Sequence, residues 1–142
     1  MRTWVVDASV AVKWLVPEDM SDVAKRMSGR PDRLVAPRLI ITEVANALAR
    51  KTAQGILNGQ EAAYLFGMLS ALLPELIDVD DLIGPALEKA CLRRHPIHGL
   101  IYLEAARRLD AQLITADRRL ITKFAGTDFA RHVTPLSDWQ PK

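Results

Sequence analysis

The chain has 142 residues, of which 49% are apolar, 25% charged and 6% aromatic, a composition that excludes disordered, fibrous and membrane-embedded classes. Nineteen Lys and Arg against seventeen Asp and Glu leave a net charge of +2, too small to announce nucleic-acid binding, and the lone Cys91 excludes a disulfide-stapled secreted scaffold. A chain of this length buries roughly two-thirds of its unfolded surface, so one domain over 1–142 is expected.

Thr3–Val6 is a short apolar run closed by Asp7, the pattern of a strand buried on both faces of a parallel sheet. A helix follows, with Asp7 placed to cap it, Val10, Val12, Trp14 and Leu15 on its apolar side, and Pro17 as its stop. A second helix is predicted from a Ser21 cap to Gly29, then a strand over Arg33–Ala36. Helical spacing returns from Pro37 to Gln54 and from Asn58 to Leu73, a third strand is predicted over Glu75–Val79, and a helix over Asp81–Arg94. Pro96 marks a break and restart, with a helix to Leu109. The strand Gln112–Thr115, a helix from Asp117 through Phe124, and a fifth strand over Arg131–Thr134 complete the chain.

Short apolar strands alternating with helices predict right-handed βαβ crossovers, hence a three-layer α/β/α fold around a parallel sheet of four to five strands. The longest apolar stretch, Tyr64–Leu73, stops at Pro74 and Glu75, short of the roughly 18 residues of a membrane span. Asp7 and Lys13 interrupt the apolar start, so no signal peptide and a cytoplasmic location are expected. Trp14, Tyr64, Leu65, Phe66 and Met68 exceed what one small core absorbs, which predicts a surface for a partner protein or a second copy.

In a parallel sheet the binding crevice lies beyond the carboxyl ends of the strands, which selects Asp7, Ser9, Thr115 and Asp117. Glu43 stands among Leu39, Ile40, Ile41, Val44, Ala45, Ala47 and Leu48, where a carboxylate is costly unless paired or coordinated. Three carboxylates in one crevice suit a hard cation, Mg²⁺ or Mn²⁺, and phosphodiester hydrolysis by an activated water. Each residue also has an ordinary alternative. Asp7 and Asp117 suit helix caps, Glu43 suits a solvated face, and Ser9 and Thr115 are common at helix starts and in strands. Lys13, Arg118 and Arg119 are the cations placed to touch phosphate, with a solvated helix face as their alternative. Cys91, His95 and His98 have the i, i+4, i+7 spacing of zinc ligands, but Pro96 breaks the helix between them, and Cys91 reads as a small buried apolar residue.

Taken together, Val5-Val6-Asp7-Ala8-Ser9-Val10, Ile41-Thr42-Glu43-Val44-Ala45-Asn46-Ala47-Leu48, His95-Pro96-Ile97-His98-Gly99-Leu100-Ile101-Tyr102-Leu103 and Leu113-Ile114-Thr115-Ala116-Asp117-Arg118-Arg119-Leu120 resemble the PIN-domain ribonucleases, specifically the VapC-type toxins of toxin–antitoxin pairs. The resemblance implies a PIN-like α/β/α domain that cleaves RNA with Mg²⁺ or Mn²⁺ and is silenced by a VapB-like antitoxin; a homodimer is expected separately, from the surplus of apolar side chains named above. By position it implies metal-binding acids at Asp7, Glu43 and Asp117 and supporting hydroxyls at Ser9 and Thr115. The third motif departs from the family, which has an aromatic residue and then Asp where this chain has His98 and Gly99. Glu104, five positions on and about 140° around the helix, does not replace that acid. Three readings follow: a weakened nuclease working through the three remaining acids, a silent homologue that binds antitoxin or RNA, or a replacement peculiar to this sequence.

Overall fold

In the computed structural model, which describes residues 1–142, β1 (Thr3–Val6) lies at the centre of a sheet with β2 (Arg33–Pro37), β3 (Glu75–Ile77), β4 (Gln112–Thr115) and β5 (Val133–Pro135). The spatial order is β3-β2-β1-β4-β5, and every neighbouring pair is parallel. Parallel neighbours need crossovers, supplied by α1 (Ala8–Leu15), α2 (Ser21–Ser28), α3 (Ile40–Ala53), α4 (Gly59–Leu72), α5 (Asp80–Arg93), α6 (Ile97–Arg108) and α7 (Arg118–Phe124). The result is the expected three-layer α/β/α architecture. The chain winds outward from β1 to β3, then crosses to the other side of β1 for β4. That reversal opens a crevice beyond the carboxyl ends of β1 and β4.

The strands are continuously apolar because both faces are covered: Val5, Val6, Val35, Ala36, Leu113 and Ile114 are fully buried. Helix α6 is buried all round from Leu100 to Ala106, packed between α5 and the central strands. Trp14 is a core residue whose indole N–H donates to the Ala24 carbonyl at 2.9 Å, which corrects its assignment to a partner surface. Tyr64, Phe66 and Met68 on α4 do remain exposed. Cys91 is exposed, contrary to the buried role expected of it. No helix is long and apolar enough to cross a membrane.

Several elements begin or end a few residues from where the local pattern predicts them. Met20, in the left-handed region at φ 65°, occupies the cap position of α2; Ser21 Oγ instead accepts from the Glu18 N–H at 2.9 Å and donates to the Val16 carbonyl. Strand β2 runs through Pro37, paired with Ile77, so α3 begins at Ile40. Strand β3 stops at Ile77 as α5 begins at Asp80. A 3₁₀ turn over Asp128–His132 delays β5 to Val133.

Candidate active site

Asp7 leaves β1 with its N–H donating to the Ile114 carbonyl of β4 at 3.1 Å, which locks it to the crevice wall. It occupies the cap position of α1, but its carboxylate makes no capping bond. Instead Asp7 Oδ2 accepts from Ser9 Oγ at 2.5 Å and Thr115 Oγ1 at 2.8 Å. Both hydroxyls are themselves oriented by backbone donors, Ala116 N–H on Ser9 Oγ and Asp117 N–H on Thr115 Oγ1, each at 3.0 Å. With those lone pairs occupied, the hydroxyl hydrogens are directed onto Asp7.

Asp117 does cap its helix: Oδ1 accepts from the N–H groups of Arg119 at 3.0 Å and Leu120 at 3.2 Å. This leaves Oδ2 without a side-chain partner and removes those N–H groups from the pool available to a phosphate. Glu43, half-buried on α3, accepts a 2.6 Å hydrogen bond at Oε1 from the Tyr102 hydroxyl of α6. Sequence reasoning missed Tyr102. Its signal was a phenol, which needs a polar partner when buried, set in an otherwise apolar helix.

The three acids feel one another. Burial pushes the Asp7 carboxyl above its ordinary range, the Ser9 and Thr115 hydroxyls oppose the shift, and the charge of Asp117 adds to it. Burial likewise raises Glu43, against the Tyr102 hydrogen bond, with Asp7 and Asp117 raising it further and His98 opposing. Burial and the Asp7 and Glu43 charges hold the Tyr102 phenol well above its usual range, so it remains a donor.

Asp7, Glu43 and Asp117 line two adjoining cavities of about 740 and 820 Å³, together with Arg50 and His98. The carboxylates share this space without closing into a ready-made ligand cage, since no group of three His, Cys, Asp or Glu side chains is gathered tightly enough to hold an ion. Cys91, His95 and His98 form no such group either. His95 Nδ1 lies 2.7 Å from the Pro96 carbonyl, and its ring packs on Phe124.

Gly99 lies in the first turn of α6 on the wall of the larger of these two cavities. A Cβ there would stand 2.5 Å from Leu120 Cδ1 and 3.0 Å from His95 Cε1, so the space that a side chain at this position would enter is occupied by its neighbours. Glu104 faces elsewhere. It is buried, paired with Lys89 and Arg107, and lines a cavity of about 1030 Å³ at the amino ends of β1 and β4.

Of the predicted phosphate contacts, Arg118 and Arg119 are exposed on the site wall beside Arg94 and Lys123. Lys13 is not free: its Nζ donates to Glu18 Oε1 at 3.1 Å, and Lys51 Nζ lies 2.9 Å from Glu18 Oε2. No local pattern signals this clamp, because its lysines lie five and 33 residues from Glu18.

Comparison with known proteins agrees with this architecture. Ribonuclease VapC3 of Pyrobaculum aerophilum is 29% identical over 122 residues, covering 84% of this chain and 93% of that protein. The crystal structure of PAE2754 from Pyrobaculum aerophilum matches with a TM-score of 0.70 and 20% identity, over 96% of this chain and 85% of that one. Mycobacterium tuberculosis VapC20, a sarcin-ricin loop cleaving toxin, matches with a TM-score of 0.62 and 18% identity, over 78% of this chain and 85% of its own. At those identities the two structures speak for the fold. The PIN domain model matches residues 4–126, nearly the whole sheet and all seven helices, and the chain therefore belongs to the PIN domain family.

Proposed function

We propose that this protein is a VapC-like toxin, an endoribonuclease that hydrolyses RNA phosphodiester bonds with Mg²⁺ or Mn²⁺ and is neutralised by a VapB-like antitoxin. The observation that carries the reading is the convergence of Asp7, Glu43 and Asp117 on one crevice, each anchored through one oxygen and with no side-chain partner on the other. Likeness to ribonuclease VapC3 supports the substrate class.

The donor set fits a hard dication. Burial and mutual repulsion raise Asp7 and Glu43, and a bound cation relieves both. Mg²⁺ and Mn²⁺ keep several waters, so a few carboxylates suffice and a closed cage is not required. When bound, the ion supplies Lewis acidity toward a water nucleophile and the phosphate. Asp7, Glu43 and Asp117 hold it, Ser9 and Thr115 orient Asp7, Tyr102 orients Glu43, and Arg118 and Arg119 neutralise phosphate charge.

Gly99 favours a second reading, a silent homologue that acts by binding antitoxin or RNA. Cleavage of RNA with Mn²⁺ and with Mg²⁺ by the parent and by Asp7→Ala separates the two. Cleavage lost in Asp7→Ala supports the enzyme; a parent that binds RNA and cleaves none is the silent homologue. A homodimer, expected from the apolar side chains exposed on α4, is tested by sedimentation, and a monomer at micromolar concentration overturns it.

A further inference from the structure

The cations around the crevice are not equivalent. On one wall, Arg94, Arg118, Arg119 and Lys123 flank the three acids, while Arg50 on α3 lines both cavities between the two walls; none of these five charged groups is in an ion pair. On the other wall, Lys13 and Lys51 are both bound to Glu18, one on each carboxylate oxygen. The clamp is built. The Glu18 backbone is pinned by the Ser21 hydroxyl on its N–H and by its own carbonyl accepting from the Ser21 N–H at 3.1 Å, and Lys13 and Lys51 are both largely buried, their side chains 12% and 19% exposed.

We propose that Glu18 withdraws Lys13 and Lys51, the two lysines of the α1–α3 wall, from contact with phosphate, so that an RNA backbone crosses the site over the unpaired cations at the α5–α6 junction and α7. Resting on the ribonuclease reading, this inference adds the path of the substrate. A phosphodiester chain seeks unpaired cations, because exchange of condensed counterions is where most of its affinity arises. Lysines held by a carboxylate release none. Arg94 stands at the turn between α5 and α6 and Lys123 on the last turn of α7, so phosphates flanking the acids meet unpaired cations in that direction, whereas both lysines in the other are already held by Glu18. Arginines there also provide planar donors for phosphate oxygens.

The test is equilibrium binding of a fluorescein-labelled single-stranded oligoribonucleotide in EDTA, followed by anisotropy across a salt series, alongside cleavage with Mn²⁺. Each cation that contacts phosphate contributes about 0.7 to the slope of log affinity against log salt for a single strand. The double variant Arg94→Gln, Lys123→Gln is expected to lose about 1.4 of slope. Glu18→Gln, which frees Lys13 and Lys51, is expected to bind more tightly and steepen the slope. Lys13→Gln with Lys51→Gln is expected to leave the slope unchanged. If Arg94 and Lys123 are silent, or removing the two lysines flattens the slope, while the parent still cleaves RNA, this path is wrong and the ribonuclease reading stands. If the parent neither binds nor cleaves RNA, both fall.

Discussion

Leu120 Cδ1 stands 2.5 Å from the point that a Cβ on Gly99 would occupy, and Leu120 is 1% exposed. The packing around α6 is therefore adapted to the glycine. Gly99→Asp is expected to be destabilised by about 1–3 kcal/mol, the usual cost of forcing atoms into a filled site. Combining it with Leu120→Ala gives a smaller loss than the two single changes added together, because the cavity left by Leu120 accepts the new side chain. Urea unfolding of the four proteins measures this, and additive losses would show that Leu120 does not block the position. The relieved double variant is also the fair test of whether a fourth acid raises cleavage.

Asp7 carries a stability cost of the kind expected at a functional site. Its folded-state pKa is raised, first by burial. The native protein thus binds its proton more tightly than the unfolded chain, and the carboxyl's contribution, complete below the unfolded pKa, is lost as pH rises through the folded one. Asp7→Asn keeps an acceptor for Ser9 and Thr115 and removes the charge. At pH 7 it is expected to be more stable than the parent by about 1 kcal/mol and to have no cleavage activity. The stability difference should vanish when pH is lowered beneath both pKa values, and a difference that grows on acidification would contradict the assignment.

Divalent cation binding has a readout independent of RNA. If the acids hold the ion, free Mn²⁺ at about one hundred times its dissociation constant is expected to stabilise the native state by about 2.7 kcal/mol, a rise of several degrees in Tm that EDTA reverses. Asp7→Asn removes one of the three charges and should show a much smaller rise. Equal Tm shifts in both proteins would place the ion elsewhere.

Tyr102 donates to Glu43 at 2.6 Å across two helices, and that bond lowers the Glu43 pKa against the effect of burial. In Tyr102→Phe the carboxyl loses its stabilising donor and protonates at higher pH. The acid limb of the cleavage profile should move upward, with activity at neutral pH down by about 10–100-fold, the loss expected if Glu43 is the metal ligand proposed above. An unmoved acid limb would mean that the Tyr102 bond does not control Glu43.

Much of the fold was legible in the sequence because its signals are local. The short strand-like runs Thr3–Val6, closed by Asp7, and Gln112–Thr115, closed by Ala116-Asp117, the stop at Pro17 and the restart at Pro96 each lie within one or two turns of the element they define. The parallel sheet and the placement of Asp7 and Asp117 at one edge followed from that alternation, since parallel strands carry their carboxyl ends to the same side. Glu43 was conspicuous for a similar reason, a carboxylate among apolar neighbours on its own helix.

What the tertiary structure alone decided are relations between side chains far apart along the chain. Thr115 is 108 residues from the Asp7 it supports, Tyr102 is 59 from Glu43, Lys51 is 33 from Glu18, and Leu120 is 21 from Gly99. Periodicity and capping cannot register such pairs, because the crossovers that bring them together are set by packing of the whole sheet against its two helical layers. Length, composition and local pattern determined a parallel α/β fold with acids at one edge. The packing decided which oxygens of those acids are held, which cations remain free around them, and what fills the place beside Gly99.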